Sequence, residues 1–291
     1  MAQHLAEAGY SLTVYDIDSA PLHRLQAARP GIAVVDNPRS VAAASEVVIT
    51  MLPSGREVRD CVLGAGGLLE GFTRGSLLLD TSSSEPWYTK EIAAALARVG
   101  VAMVDAPVSG AEAGAMAAEL VFMVGGDPEP VKRVSPLLQV LGKKMFHLGP
   151  TGSGHVMKSI NNLITAITFM ATAEGLIIGS GYGLDPAVMN AVLNESTGMS
   201  WITQMHIEQR ILSRRFDDPF KLDLMVKDVG IALRIAEDLK LQPRLSAAAG
   251  KLWRAVQRKV PKGSSVSELV RTLEEDSGVQ IKSAVSATAR P

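Results

Sequence analysis

Short apolar runs alternate with amphipathic stretches over the first half of the chain, from Ser11 to about Pro150. Such runs, bounded by turn residues, are typical of strands that are buried on both faces, and the stretches between them have helical spacing. The predicted strands are Ser11–Asp16, Glu46–Pro53, Ser76–Ser83, Val101–Pro107, Leu120–Gly126 and Lys143–Leu148. The pattern therefore predicts a parallel sheet that is covered by crossover helices.

After Gly152 the pattern changes to long helices. Apolar residues recur at spacings of three and four from Val156 to Ile178, which predicts one long helix. Prolines then separate shorter helices, and a last helix is predicted at Val266–Glu275. We therefore expect an α/β domain over residues 1–150, an all-helical domain over 151–278 and a flexible tail over 279–291.

Composition narrows the range of partners. The chain has 29 lysines and arginines against 30 acidic residues, so it has no basic field that would hold nucleic acid or an anionic membrane. The apolar stretch 163–183 approaches membrane-spanning length, but Glu174 and several glycines favour a buried helix. The single cysteine, Cys61, fits a reducing cytoplasm, and the histidines lack metal-ligand spacing, so no metal site is expected.

The first sixteen residues predict a helix, a stop at Gly9 and a strand that ends in Asp16. This order is the second half of the βαβ unit that binds dinucleotides, whose first half is a strand and a G-x-G-x-x-G turn. No segment of the sequence has that motif. The sequence therefore predicts a Rossmann-type domain that lacks its first strand, because of a start codon assigned too late or a true truncation.

Asp16 is the first candidate cofactor residue. An acidic side chain at the end of the second strand accepts hydrogen bonds from the adenosine ribose and repels a 2′-phosphate. This position favours NAD over NADP. The alternative is that Asp16 only caps a turn or helix.

Further candidates follow the next predicted strands, where open α/β sheets bind ligands. Met51, Leu52 and Pro53 end one strand, and serines 82–84 follow the next. Proline could simply end its strand, and the serines could cap a helix. After the strand that ends at Pro107, the pair Ser109–Gly110 can hold a carboxylate, although such pairs are also common in turns.

The segment Gly152–Asn162 contains the strongest candidate, Lys158. Lys158 and Asn162 are four residues apart, so they share one face of the predicted helix. Asn161 and Asn162 are poor choices for a buried helix unless their amides have partners, which indicates a polar pocket. The alternative is a lysine that extends to solvent. The pair Lys227–Asp228 alone is typical of a protein surface.

Together these segments resemble the β-hydroxyacid dehydrogenase family, of the 3-hydroxyisobutyrate dehydrogenase type, from Met1 to about Glu275. The resemblance rests on the order and spacing of Val14–Asp16, Thr50–Pro53, Asp80–Ser83, Asp105–Gly110, Gly152–Asn162 and Lys227–Asp228. One departure is Ala111, where the family has a second glycine.

The resemblance implies that Lys158 is catalytic, that Ser109 and Gly110 bind substrate, and that Asn161 and Asn162 orient it. The residues that it places near the cofactor are Leu52, Pro53, Ser83 and Lys227, beside the candidates Met51 and Asp16. Family members are commonly dimers or tetramers built through the helical domain, so a homodimer or homotetramer is expected.

The predicted activity is NAD-dependent interconversion of a small 3-hydroxy acid and its semialdehyde, in which Lys158 exchanges a proton with the hydroxyl. One alternative is a NADPH-dependent reductase of short semialdehydes or glyoxylate, which Asp16 disfavours. Another is a non-catalytic scaffold, which Lys158 and Asn162 disfavour.

Overall fold

The computed structural model describes residues 1–283 of the chain. The chain divides into two compact units, Met1–Lys158 and Ser159–Pro291. The division falls inside a continuous helix, Ser153–Tyr182, eight residues beyond the boundary that the sequence pattern indicates. Because the helical hydrogen bonds run through this point, no loop or composition change marks it.

The first unit is α/β. Its strands are β1 Thr13–Val14, β2 Ala33–Val34, β3 Val47–Thr50, β4 Leu77–Asp80, β5 Ala102–Asp105, β6 Val108–Ser109, β7 Leu120–Gly125 and β8 Gly142–Gly149. Its helices are α1 Ala2–Glu7, α2 Ser19–Ala28, α3 Pro38–Ala43, α4 Gly55–Leu63, α5 Pro86–Arg98, α6 Ala111–Met116 and α7 Pro128–Leu141, with a short 3-10 turn at Leu68–Glu70.

The main sheet has the order β3-β4-β5-β7-β6, with β8 paired to β7. Strands β3, β4 and β5 are parallel, as predicted, whereas β7 runs antiparallel to β5 and β6. Strands β2 and β6 were not predicted. A separate parallel pair, β1 and β2, forms a second sheet.

Among residues 1–283, β3 pairs with β4 on one side only, and no strand joins β1 to β3. The opening helix, the turn at Gly9 and the following strand are confirmed, and Gly9 has the left-handed φ of +89° that ends α1 cleanly.

Both faces of the main sheet are covered. Leu77 and Leu79 pack in one apolar cluster with α7, while Leu78, between them, packs in another with α4 and α5. Successive strand residues point to opposite faces, so this alternation requires helices on both sides. All three leucines are fully buried.

The second unit is all-helical, as predicted. Beyond the long helix α8, Ser153–Tyr182, its helices are α9 Pro186–Asn194, a π-helix at Ile202–Leu212, α10 Leu222–Asp238, α11 Arg244–Lys259 and α12 Glu268–Ser277. Phe169 of α8 and Trp253 of α11 are at the centre of its core. By length and composition α8 could cross a membrane, a test that core helices of soluble proteins also pass; its buried side includes Ala166, Phe169 and Ala173.

Two expectations for this unit are wrong. From the sequence alone, core packing is the favoured role of Met199, Trp201 and Met205, with a pocket wall as the alternative, yet these side chains are 53%, 60% and 45% exposed. Only Met205 lies within the π-helix Ile202–Leu212, and Met199 and Trp201 precede it. The predicted flexible tail begins at residue 279, but Ile281 is fully buried and its backbone N–H donates to Glu274 Oε1 at 2.7 Å. Residues 284–291 of that tail lie outside the described residues.

Candidate active site

The carboxyl ends of β3, β4 and β5 lie side by side. Thr50 is in register with Asp80, and Asp80 with Asp105. All three side chains are buried. Thr50 Oγ1 donates to Asp80 Oδ1 at 2.9 Å, and Ser84 Oγ donates to Asp80 Oδ2 at 2.8 Å. Asp80 therefore orders the loop that follows its own strand.

The candidate cofactor residues of the first unit lie at this edge. Met51, Leu52 and Pro53 follow β3, and Ser83 lies in the loop after β4. The backbone N–H of Leu52 donates to Ser82 Oγ at 2.9 Å, which joins the two loops. Met51 is 49% exposed, so this edge has an apolar surface that a nicotinamide ring could contact.

The candidate substrate residues lie at β6, which β7 separates from β5 in the sheet. Ser109 ends β6, where it pairs with Val121 of β7, and Gly110 follows at the start of α6. Gly110 has φ of +128°, a conformation that favours glycine. Ala111 also has a left-handed φ, of +52°. The chain thus turns sharply at the pair predicted to hold a carboxylate.

Asp105 fixes the beginning of α8 to the end of β5. Its Oδ1 accepts a hydrogen bond from the backbone N–H of Gly152 at 2.6 Å, and its Oδ2 accepts one from the N–H of His155 at 2.9 Å. Burial raises the pKa of the Asp105 carboxyl, against the opposing effects of His155 and these N–H groups. A side-chain acceptor at a helix start satisfies amide groups that have no partner within the helix.

Two glycines make this close seating possible. A Cβ on Gly154 would lie 2.1 Å from Met123 O and 2.8 Å from Asp105 Oδ2. A Cβ on Gly125 would lie 2.6 Å from Asp105 Oδ1. The first turn of α8 therefore rests directly on the backbone of β5 and β7.

His155 lies in a buried group with Asp80, Thr89 and Asp105. Its ring is fully buried, with Nδ1 2.7 Å from Thr89 Oγ1 on α5. Nε2 lies 3.5 Å from Asp80 Oδ2, and Nδ1 lies 3.8 Å from Asp105 Oδ2. From the sequence alone, His155 is a conceivable acid but more simply a polar residue at a helix start, and neither Asp80 nor Asp105 has an assigned role. The signal that could have found them is an aspartate at the end of each of two neighbouring strands.

Lys158 lies one turn after His155 on α8 and is partly buried. In the second unit, Asn162 Nδ2 donates to Asp228 Oδ2 at 2.5 Å, and Asn161 Nδ2 donates to Asn162 Oδ1 at 3.0 Å. Lys227 Nζ is 3.4 Å from Asp228 Oδ1. Asp228 is only 2% exposed, so the pair Lys227–Asp228 is not the surface pair that it resembles in isolation.

Asp16 is not brought together with these groups. It is exposed and follows β1, in the separate two-stranded sheet. Its Oδ1 accepts the backbone N–H of Asp18 at 2.9 Å, which is the turn-capping contact of the alternative interpretation. A capped turn leaves room for a further ribose contact by the same carboxylate.

A Ser-His-Asp chain that the sequence did not suggest lies in the second unit. Ser267 Oγ is 3.1 Å from His206 Nε2, and His206 Nδ1 is 3.2 Å from Asp218 Oδ2. Ser267 is fully buried, so a substrate cannot reach its hydroxyl, and the chain is structural. Within residues 1–283, no group of three or more His, Cys, Asp or Glu side chains could hold a metal ion.

The residues present fit part of a dinucleotide. The apolar and hydroxyl groups at the ends of β3 and β4 suit the nicotinamide half. The first N–H of α4 already has a partner, because Gly55 N donates to Glu85 Oε2 at 2.7 Å. The glycine-rich turn that cradles a pyrophosphate is not among the motifs of this sequence.

Comparisons with known proteins agree with this fold. The family model described as the NAD binding domain of 6-phosphogluconate dehydrogenase matches residues 1–149. The model described as the NAD-binding of NADP-dependent 3-hydroxyisobutyrate dehydrogenase matches residues 152–273. Together they confirm the two-domain prediction of a Rossmann-type domain followed by a helical one.

Several relatives cover most of the chain. An NAD-dependent L-serine dehydrogenase of Pseudomonas aeruginosa is 35% identical over 260 residues, which is 87% of each chain. A 3-hydroxyisobutyrate dehydrogenase of the same organism is 36% identical over 259 residues, which is 87% of this chain and 86% of that one. The structure of Mycobacterium tuberculosis 3-hydroxyisobutyrate dehydrogenase with L-serine matches with a TM-score of 0.83 and 29% identity, over 93% of both chains.

These matches set the class of enzyme and leave the choice between NAD and NADP open, because the names include both cofactors. The chain belongs to the β-hydroxyacid dehydrogenase family, is of the 3-hydroxyisobutyrate dehydrogenase type, and is a 3-hydroxyacid dehydrogenase with an NAD(P)-binding domain.

Proposed function

We propose that the protein interconverts a small 3-hydroxy acid of the 3-hydroxyisobutyrate kind and its semialdehyde, with NAD as cofactor and Lys158 as the acid/base group. The observation that carries this proposal is the seating of α8 on the sheet. Asp105 holds the first turn of the helix that bears Lys158, and Ser109 follows Asp105 by four residues. The proposed proton-transfer and carboxylate-binding groups thus extend from one anchored point.

Lys158 can serve both directions of the reaction. When bound, the nicotinamide accepts or supplies the hydride. In oxidation, neutral Lys158 takes the proton of the substrate hydroxyl; in reduction, protonated Lys158 returns it to the carbonyl oxygen. The direction is then set by which substrate and cofactor form are present.

Substrate binding is assigned to groups that are already fixed. The Ser109 hydroxyl and the Gly110 N–H are proposed to hold the carboxylate, since both can donate hydrogen bonds to an anion. Asn161 and Asn162 are proposed to orient the hydroxyl. The hydrogen bond to Asp228 fixes the orientation of the Asn162 amide, so Asn162 loses little conformational entropy when the substrate binds.

The preference for NAD rests on Asp16. Its carboxylate is exposed two residues beyond the end of β1, and a negative charge there repels the 2′-phosphate of NADP. Met51, Leu52, Pro53, Ser83 and Lys227 are the other proposed cofactor contacts.

The helical unit is proposed to form a homodimer or homotetramer. It exposes large apolar side chains along α8, α9 and the loop between them. A second copy of the chain could bury this apolar surface and remove it from water. They are Ile164, Ile178, Tyr182, Leu184, Val188 and Val192, which are between 52% and 86% exposed.

Steady-state kinetics with a panel of substrates test the substrate and the cofactor. The panel contains 3-hydroxyisobutyrate and L-serine with NAD or NADP, and glyoxylate and succinic semialdehyde with NADH or NADPH. The proposal predicts the highest kcat/KM for 3-hydroxyisobutyrate with NAD. L-serine is the second candidate, because a relative at 35% identity is an L-serine dehydrogenase. A preference for NADPH would contradict the role of Asp16, and no turnover by folded protein would favour the scaffold alternative.

A further inference from the structure

The buried group around His155 joins segments that come from distant parts of the chain. Asp80 lies at the end of β4, Thr89 on α5 and Asp105 at the end of β5, and His155 on α8 contacts all three. Asp80, Asp105 and His155 have no exposed surface. Burial of charged groups costs solvation free energy, which their mutual contacts must offset.

What the cluster fixes is the relative placement of the proposed reacting groups. The loop after Asp80 carries Ser83, proposed to contact the cofactor, and the strand that ends at Asp105 leads to Ser109. His155 precedes Lys158 by three residues, which is about one helical turn. Cofactor, substrate and proton-transfer groups are therefore all anchored to the same buried contacts.

We infer that Asp105 and His155 are positioning residues for Lys158: Asp105 holds the first turn of α8 through Gly152 and His155, and the His155 ring locks that turn against Asp80 and Thr89. The inference rests on the proposed role of Lys158. It gives a role to Asp105 and His155, which have none in the proposed function itself. Neither side chain touches substrate, and both act through the placement of α8.

The hydrogen-bond pattern sets the expected effect of each substitution. Asp105→Asn leaves one acceptor oxygen for two backbone N–H donors, so one of Gly152 N and His155 N faces an amide N–H. His155→Leu fills the space without a polar contact to Asp80 or Thr89, whereas His155→Gln keeps a donor. Thr89→Val removes only a hydroxyl and keeps the side-chain shape. This variant should therefore fold, and a change in its kcat reports the lost hydrogen bond.

The first test is kinetic. His155→Leu and Asp105→Asn should lower kcat by about 100-fold, the effect of misplacing a reacting group by about 1 Å, while KM for the hydroxy acid changes little. Thr89→Val should lower kcat less, and His155→Gln should restore part of it. In a Lys158→Ala background His155→Leu should cause no further loss, because its effect passes through Lys158.

The matched control is His206→Leu. His206 is another buried, hydrogen-bonded histidine, 2% exposed, and its loss should lower stability without the selective loss of kcat. The three variants to compare with this control are His155→Leu, His155→Gln and Asp105→Asn. If each of them loses kcat only in proportion to its loss of thermal stability, as the control does, the residues are structural and the inference is wrong.

The second test needs no turnover. Hydrogen exchange of the amides in residues 152–158 should accelerate in Asp105→Asn and His155→Leu, ahead of the rest of α8. Unchanged exchange there would overturn the inference. Full turnover of Lys158→Ala would instead contradict the proposed function itself, whereas inactive Lys158→Ala with fully active His155→Leu would contradict the inference alone.

Discussion

Ala111 holds a backbone conformation that its side chain disfavours. Its φ is +52°, and a residue with a Cβ pays roughly 1–2 kcal/mol in the left-handed region, more than the added chain entropy that a glycine costs. We expect Ala111→Gly to raise the free energy of unfolding by about 0.5–1 kcal/mol, measured by urea titration. Ala113→Gly, within the same helix, is the control and should lower it by a similar amount. Equal destabilisation by both would contradict the strain at Ala111.

Asp218 links stability to acidity. Burial alone would raise the pKa of its carboxyl, but hydrogen bonds from His206 and the Phe220 N–H, with the charges of His206 and Arg210, lower it below the usual value. The unfolded chain therefore takes up the proton first as the pH falls, so the contribution is complete above about pH 4 and disappears as the pH falls through the lower pKa of the folded protein.

Asp218→Asn should therefore remove about 1.5–3 kcal/mol of unfolding free energy at neutral pH, the range for hydrogen bonds to a charged group. It should also flatten the fall in stability below pH 4. Chemical denaturation at a series of pH values checks both effects, and an unchanged slope in the variant would exclude Asp218 as the source.

At the residue scale, the sequence identifies candidate functional side chains better than it identifies the residues that they contact. Lys158 and Asn162 stand out because a lysine and paired asparagines are unexpected in an apolar helix. Asp105 and His155 do not, because their importance depends on contacts across 50 residues, such as the bond from His155 N to Asp105. The burial of Asp228, likewise, follows from tertiary packing that a helical period alone does not contain.

At the scale of elements, the start of α8 depends on glycine. Gly154→Ala would place a Cβ 2.1 Å from Met123 O, so the first turn must move away from the strands. We expect lower thermal stability and a kcat reduced by at least about tenfold. Gly175→Ala, in the same helix with no atom within 4 Å of its Cβ, is the control and should raise stability by up to about 1 kcal/mol. Equal behaviour of the two variants would show that the seating is not tight.

The main elements could be predicted because their patterns are local. Buried strands such as β4 form continuous apolar runs, and the period of α8 persists over many turns. Strands β2 and β6 are defined by their pairing with β1 and β7, and the antiparallel direction of β7 likewise depends on its partners. The π-helix at Ile202–Leu212 differs from an α-helix in hydrogen-bond register, which composition does not report.

At the scale of the whole molecule, the exposed apolar side chains of the helical unit predict self-association. Ile178 is 73% and Tyr182 86% exposed. We expect light scattering to give the mass of a dimer or tetramer, and Ile178→Lys to shift it toward the monomer. Lys240→Glu, on the surface at the end of α10, should have no effect. A monomeric wild-type protein at micromolar concentration would contradict the prediction.

The central claim is that Lys158 transfers the proton in a 3-hydroxyacid dehydrogenase. Its most direct test is the rate of NADH formation from 3-hydroxyisobutyrate by the wild-type protein, by Lys158→Ala and by Lys132→Ala, which changes an exposed lysine on α7. Loss of a general acid/base predicts a kcat lower by about 100- to 10,000-fold in Lys158→Ala, with Lys132→Ala unchanged. Wild-type turnover by Lys158→Ala, or a change in KM alone, would contradict the claim.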